Sequence, residues 1–433
     1  MLSTGTPATL RCAGRIASSR LGHAPSTKLS NSASLPLRRL STAVGTPAYR
    51  SRHVGRISPL LAAGPSNPNT KRHFTSGHPR ASKQPFQFLT AYAFQGKARS
   101  SEDLPQEGDA SSSASTNERD GTPPAATKPQ IGFPANSEIG RWRDELLRGG
   151  EAGEDSLMCT SMGMAGDVAI GVADGVGGWT ENGIDPSLFS QALMFYASRS
   201  ASQASTDPST GGAPNQILSE AFEHVLKEPL VVAGSATACI LTMNSSDGTL
   251  RSANLGDSGF VILRQGTGKQ GVFHASPPQQ LGFNTPLQLA KLPKEWAQEG
   301  SISNTPKDAA TWECTLQHGD LIIVGTDGLF DNVDAKIEIP QFAKFIKEKH
   351  HASYAARHAA AGEKAAEGKF DSLEEDREFV QVLATNLVEY AKICQSSTTK
   401  QSPFEREAAR YGIHFPGGKV DDVALVCCLV IEH

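Results

Sequence analysis

Acidic residues are missing from the first hundred positions, where fifteen Lys or Arg stand without one Asp or Glu. A segment so biased, and rich in Ser and Ala, cannot bury enough apolar surface to fold alone. Apolar residues are scarce over the whole chain at 38% and aromatics at 6%. No apolar run reaches the ~20 residues that a membrane-spanning helix needs. The seven cysteines include no C-x-x-C pair and no closely spaced framework, which argues against a disulfide-stapled scaffold. Past position 100 the balance reverses, leaving 26 basic against 45 acidic residues, a net charge of −19. An acidic body is a poor nucleic-acid binder, because phosphate backbones are held by Lys and Arg. It suits the concentration of divalent cations.

The acid-free leader has the composition of an organellar transit peptide, with no continuous apolar core of a secretory signal. Arg38-Arg39-Leu40-Ser41 and Arg72-His73-Phe74-Thr75 have the pattern of matrix-type processing sites. Import into the mitochondrion, and so the matrix, is expected; an unstructured basic tail is the competing account. The expected organisation is a leader over residues 1–99, a Ser/Asp/Glu/Pro-rich linker over 100–133 and one catalytic body over 134–433. Residues 334–410 form a helical, insertion-bearing segment of that body. Within it, Ala355–Lys369 is rich in Ala, Lys and Glu and reads as a surface helix or mobile insertion.

Val/Ile-rich runs give strands at Val168–Ala173, Ala238–Met243, Leu250–Asn254, Gly259–Leu263, Leu321–Gly325 and Val423–Ile431. Cys427 and Cys428 are adjacent in the last strand, so they should face opposite sides. Asp185-Pro186 opens a helix as cap and first residue, with Phe189, Ala192, Leu193 and Tyr196 on one face. Leu218, Ala221, Phe222 and Val225 repeat that spacing. Ser372-Leu-Glu-Glu375 reads as a capping box before a helix that carries Phe379, Leu383, Leu387, Tyr390 and Cys394 inward. Strands and helices without regular β-α-β alternation favour a layered α+β fold.

Two strands run into Asp-Gly, at Asp174-Gly175 and Asp327-Gly328, and a third begins after Asp421-Asp422. If the third runs antiparallel to the others, these carboxylates meet at one edge of a sheet, with Asp257 between two further strands. A lone Asp-Gly is usually a hairpin turn, but four acidic motifs at strand ends are hard to explain as four separate turns. Ionised carboxylates brought together need compensation. Oxygen donors without His or Cys point to Mg²⁺ or Mn²⁺.

Gly171-Val-Ala-Asp-Gly-Val-Gly-Gly178, Gly256-Asp-Ser258, Thr326-Asp-Gly-Leu-Phe-Asp331 and Asp421-Asp422 resemble, in order and spacing, the signature motifs of the protein phosphatase 2C (metal-dependent phosphatase) family. The resemblance covers nearly all of residues 135–433. It implies a four-layer αββα sandwich, a central antiparallel β-sandwich between helices, with a binuclear metal site at one edge. Carried over, Asp174 bridges two Mg²⁺ or Mn²⁺ ions and the Gly175 carbonyl binds one. Asp327 and Asp421 complete the other ion's shell, and Asp257 with Asp327 takes a weaker third. Glu154-Asp155 resembles the early acidic pair that holds metal-bound water, which makes Asp155 and Asp174 the catalytic pair and Glu154 a metal residue. The implied activity is hydrolysis of phosphoserine and phosphothreonine in proteins by a water activated between the ions, with a monomer expected.

Three positions depart from the family pattern. Val176 replaces the His that serves as general acid, Asp422 replaces an Asn, and Arg148 lies displaced from the phosphate-binding Arg. With Asp185-Pro-Ser-Leu-Phe-Ser190 and Phe283-Asn-Thr-Pro286, Val176 resembles the family's mitochondrial, seventh-type branch. His414 is one candidate proton donor, although a surface histidine is the plainer account. Two other functions stay open: a pseudophosphatase scaffold that binds phosphoproteins, and a hydrolase of small phosphate esters.

Overall fold

The computed structural model describes residues 85–98, 131–163, 166–204, 212–268, 271–296, 302–360 and 372–433. Most of the leader, both processing motifs, most of the linker and residues 361–369 of the Ala/Lys/Glu-rich run lie outside the described residues.

Ten strands build two five-stranded sheets: β1 Phe86–Gln95, β2 Asp155–Met162, β3 Asp167–Asp174, β4 Ala238–Met243, β5 Thr249–Leu255, β6 Gly259–Leu263, β7 Val272–Ala275, β8 Ala310–Thr315, β9 Leu321–Gly325 and β10 Val423–Glu432. One sheet runs β1-β10-β9-β6-β7 and the other β8-β5-β4-β3-β2, and every pairing is antiparallel. Among the described residues, six helices of two or more turns flank them: α1 Glu138–Leu147, α2 Pro186–Gln203, α3 Pro214–Lys227, α4 Glu338–Ala360, α5 Ser372–Gln395 and α6 Pro403–Arg410.

The continuous apolar run of β10 explains the layering. Successive side chains of a strand point to opposite faces. Ala424, Val426, Cys428 and Val430 enter the core between the sheets, beside Ile170, Val172, Leu241 and Ile322. Leu425, Cys427 and Leu429 pack under α4 and α5 with Leu383 and Leu387. The second sheet buries Ala169, Ala173 and Ile240 beneath α2 and α3, against Phe189, Leu193 and Leu218. The result is the expected αββα sandwich.

Two expectations change. The leader ends earlier than its charge suggests, because Phe86–Gln95 pairs with β10 along all ten of its residues. Phe88 and Tyr92 enter the inter-sheet core and Leu89 and Ala91 the helix-covered one. Lack of acids records composition; burial follows from the apolar content of FQFLTAYAFQ. The acidic strand ends also meet differently: β3 belongs to one sheet and β9 and β10 to the other, so the acids gather where two sheets abut.

Away from that end, Arg264 holds the fully buried Asp320 through Nε at 2.8 Å and Nη2 at 2.6 Å, and its guanidinium lies over the Phe273 ring at 3.8 Å. No helix among the described residues is long and apolar enough to cross a membrane.

A chain begun at Ile131 lacks β1 and leaves the hydrogen-bonding edge of β10 open, an aggregation-prone arrangement. It should melt at a lower temperature and scatter more light than a chain begun at Ala81. Equal melting curves would show that β1 is dispensable.

Candidate active site

Asp174 ends β3, and its register partner across the sheet is Asp155, the first residue of β2. Like charges placed directly opposite destabilise a sheet, so this pair needs an offsetting cation or a shared proton. The backbone fixes it firmly. The Asp174 amide donates to Thr237 Oγ1 at 3.1 Å, and its carbonyl accepts from the Thr237 amide at 2.9 Å. The Gly175 amide donates to the Glu154 carbonyl at 3.2 Å, and Ser190 Oγ of α2 donates to the same carbonyl at 2.5 Å. Position 175 admits glycine alone, because a Cβ there would sit 2.7 Å from the Glu154 carbonyl oxygen and 2.8 Å from that of Pro186.

From the other sheet, β9 ends at Gly325 and Thr326 leads into the single helical turn Asp327–Phe330. Thr326 Oγ1 donates to Asp155 Oδ2 at 2.8 Å and accepts from the Ala424 amide at 3.1 Å. One hydroxyl therefore ties the ends of β2, β9 and β10 together. Gly328 passes so close to β10 that a Cβ would lie 1.8 Å from the Asp422 carbonyl oxygen. Oxygens of Asp174, Asp257 and Asp327 fall within 4.8 Å of one another, a spacing that suits a metal ion. Asp257 Oδ2 accepts from Gln280 Nε2 at 2.9 Å, whereas its buried Oδ1 has no hydrogen-bond partner. A buried carboxylate oxygen left unpaired is costly, and a hard cation would satisfy it.

Two ammonium groups serve this acidic cluster. Lys419 Nζ reaches Asp327 at 2.5 Å, Asp331 at 2.8 Å and Asp421 at 3.1 Å. Lys97 Nζ reaches Glu154 at 2.9 Å, Asp421 at 3.4 Å and Asp422 at 3.7 Å. Burial works against each lysine's charge, yet the surrounding carboxylates outweigh it and hold both above the ordinary lysine range. Burial, then the neighbouring acids, push Asp155 and Asp174 well above the carboxylate range. Burial and Asp327 raise Asp257 to about 7, and burial, opposed by Lys419, leaves Asp331 at about 8. At Asp421, burial is overcome by Lys419 and Lys97, and the carboxyl stays below its usual value.

The structure thus brings Glu154, Asp155, Asp174, Gly175, Asp257, Asp327 and Asp421 to one end of the sandwich. Arg148 is exposed at the end of α1, where its amide caps the helix on the Asp144 carbonyl in a left-handed conformation. His414 is exposed in the loop after α6. Sequence reasoning missed Lys97, hidden in the basic leader, and Lys419, two residues before Asp421. Asp331 stood in the quoted motif without a role, and its tie to Lys419 supplies one.

A family model described as Stage II sporulation protein E (SpoIIE) matches residues 164–376. "Protein phosphatase PTC7 homolog fig" of Drosophila virilis is 38% identical over 283 residues, 65% of this chain and 79% of that protein. "Protein phosphatase PTC7 homolog" of Homo sapiens is 32% identical over 292 residues, 67% of this chain and 84% of its own. The solved structure of the photosystem II phosphatase PBCP is 26% identical, with a TM-score of 0.46 over 65% of this chain and 92% of that one. Identity at this level over four fifths of the curated relatives, joined to the acidic end of the sandwich, places the chain in the protein phosphatase 2C family, in its PTC7 branch, as a protein phosphatase.

Proposed function

We propose that this phosphatase hydrolyses phosphoserine and phosphothreonine in proteins of the mitochondrial matrix, as a monomer, with two Mg²⁺ or Mn²⁺ ions and a weaker third at the acidic end of the sandwich. The observation that carries this reading is the mutual approach of Asp174, Asp257 and Asp327, with the unpaired buried Asp257 Oδ1 among them. All donors are oxygens, which fits hard cations. When bound, such ions offset phosphoryl charge and make water a nucleophile near neutral pH.

The residues divide the remaining work. Asp174 and the Gly175 carbonyl would hold ions from the β3 side, and Asp327 and Asp421 would hold them from the β9 and β10 side. Glu154 and Asp155 complete the rim, and Thr326 fixes Asp155 so that its remaining oxygen can accept a hydrogen bond from water. Asp257 and Asp327 are the residues for the third ion. Cysteine nucleophiles have no part in this scheme: Cys239, Cys427 and Cys428 are fully buried, with thiols that burial pushes upward. Basic composition over residues 1–84 supports import.

Purified chain begun at Ala81 should release phosphate from a phosphoserine peptide with Mn²⁺, faster than from small phosphate esters, and stop in chelator. Asp174→Asn should lower kcat at least about 100-fold. Binding of the phosphopeptide without turnover would replace this function with a scaffold. A fluorescent fusion of the full chain should enter mitochondria and one lacking residues 1–84 should not; equal distribution of the two would remove the matrix assignment.

Metal-free stability should depend on pH in a defined direction. Asp257 and Asp331 keep protons up to about 7 and about 8 when folded, whereas unfolded carboxyls lose them near pH 4. The folded state then binds more protons than the unfolded one, so stability falls as pH rises from 5 through 8. Differential scanning fluorimetry in chelator should show Tm falling over that range. Saturating Mn²⁺ should raise Tm most at the alkaline end, because ions bind deprotonated ligands. A flat chelator curve would refute the proton count.

A further inference from the structure

The site holds a cation whose position is too carefully fixed to be incidental. Lys97 follows β1, and the preceding Gly96 donates its amide to the Glu151 carbonyl at 2.9 Å. The Lys97 amide donates to Asp422 Oδ1 at 2.6 Å. The other oxygen of that carboxylate, Oδ2, accepts from the Glu154 amide at 2.9 Å. Asp422 is almost fully buried, with 2% of its surface exposed. One buried carboxylate therefore sets the distance between the backbone of Lys97 and that of Glu154. An asparagine could not do this: its amide offers a single acceptor oxygen, and its NH₂ only donates.

The other cations around the site are less available. Lys419, like Lys97, reaches three carboxylates, but it is the more deeply buried of the two. Lys392 Nζ donates to the Asp421 carbonyl at 2.7 Å and to Gln395 at 3.2 Å. Arg143 is buried and holds the Ile131 and Phe133 carbonyls and Asp144. Lys97 has 28% of its side chain exposed, against 16% for Lys419, so its ammonium lies nearer solvent. Two of its partners, Glu154 and Asp421, belong to the acids assigned to metal above. Ions there would draw those carboxylates' charge away and leave the ammonium with N–H groups to offer.

We propose that Lys97 is a catalytic residue that binds the non-bridging oxygens of the phosphoryl group in substrate and in the phosphate product, and that Asp422 is the positioning residue that holds it there. This assignment rests on the metal-dependent phosphatase reading. It concerns binding of an anion and no proton transfer. A dianionic phosphoryl group entering a cluster of carboxylates meets repulsion on every side, and a cation at the rim gives it a charge-assisted contact from the protein itself.

The test uses Mn²⁺-loaded chain begun at Ala81 and inorganic phosphate as competitive inhibitor. Lys97→Met should raise the Ki for phosphate at least about tenfold, the effect of losing one hydrogen bond to a charged group, and raise KM for a phosphoserine peptide alongside it. Bound manganese per chain and Tm should match the parent. Lys97→Arg should restore most of the phosphate affinity. Asp422→Asn should move Ki part of the way with Lys97 intact. An unchanged Ki in an active Lys97→Met enzyme would overturn the proposal, as would loss of manganese accompanying the rise in Ki, because Lys97 would then serve the metal site alone. A rise in Ki in Arg148→Ala but not in Lys97→Met would move the role to that arginine. A parent that binds no manganese and releases no phosphate would overturn the metal-dependent reading, a result distinct from any Ki.

Discussion

Repulsion among carboxylates governs this molecule. Glu154, Asp155, Asp174, Asp257, Asp327, Asp331, Asp421 and Asp422 gather at one end of a sandwich, several of them little exposed. Coulomb energy between like charges a few ångströms apart is substantial even at an effective dielectric constant near 20. A loose structure would relieve it by moving the acids apart. Here the strands that carry them cannot move, because β3, β9 and β10 are packed on both faces by apolar side chains. The core therefore holds a high negative potential in place, and that potential selects cations.

Protons and lysines offset part of this repulsion. Lys419 and Lys97 approach from two sides and share Asp421, which explains why that carboxyl stays low while Asp155, Asp174, Asp257 and Asp331 rise. Such coupled groups titrate together, so the direction of each shift describes the cluster as much as the residue.

A few polar ties across the two sheets add to the hold of the apolar packing. Thr326 bridges β2, β9 and β10 through one hydroxyl. Asp422 bridges the segment after β1 to the one before β2 through its two oxygens. Each is buried with its partners satisfied, the condition under which a polar network specifies a single geometry. Trp179 adds a third tie where its indole N–H donates to Ser235 at 2.6 Å, holding the glycine-rich turn after Asp174 against the rest of the site.

Much of this could be read in the chain itself. Strand limits at Ala238–Met243, Gly259–Leu263 and Leu321–Gly325 follow from predominantly apolar runs, and the Asp185 cap with Pro186 follows from local backbone chemistry. Acids at strand ends are also visible in one dimension, because strand and turn are local properties. Three things were not. That Asp174 belongs to one sheet and Asp327 and Asp421 to the other depends on long-range pairing, which no local pattern encodes. Phe86–Gln95 sits in an acid-free segment, and only its ladder with β10 shows that it belongs to the body. Lys97 lies 57 positions before Glu154 and 324 before Asp421. Residue type could suggest which groups bind cations, but only folding the chain could decide which positive charge stands beside them, because that distance is set by sheet register and not by sequence separation.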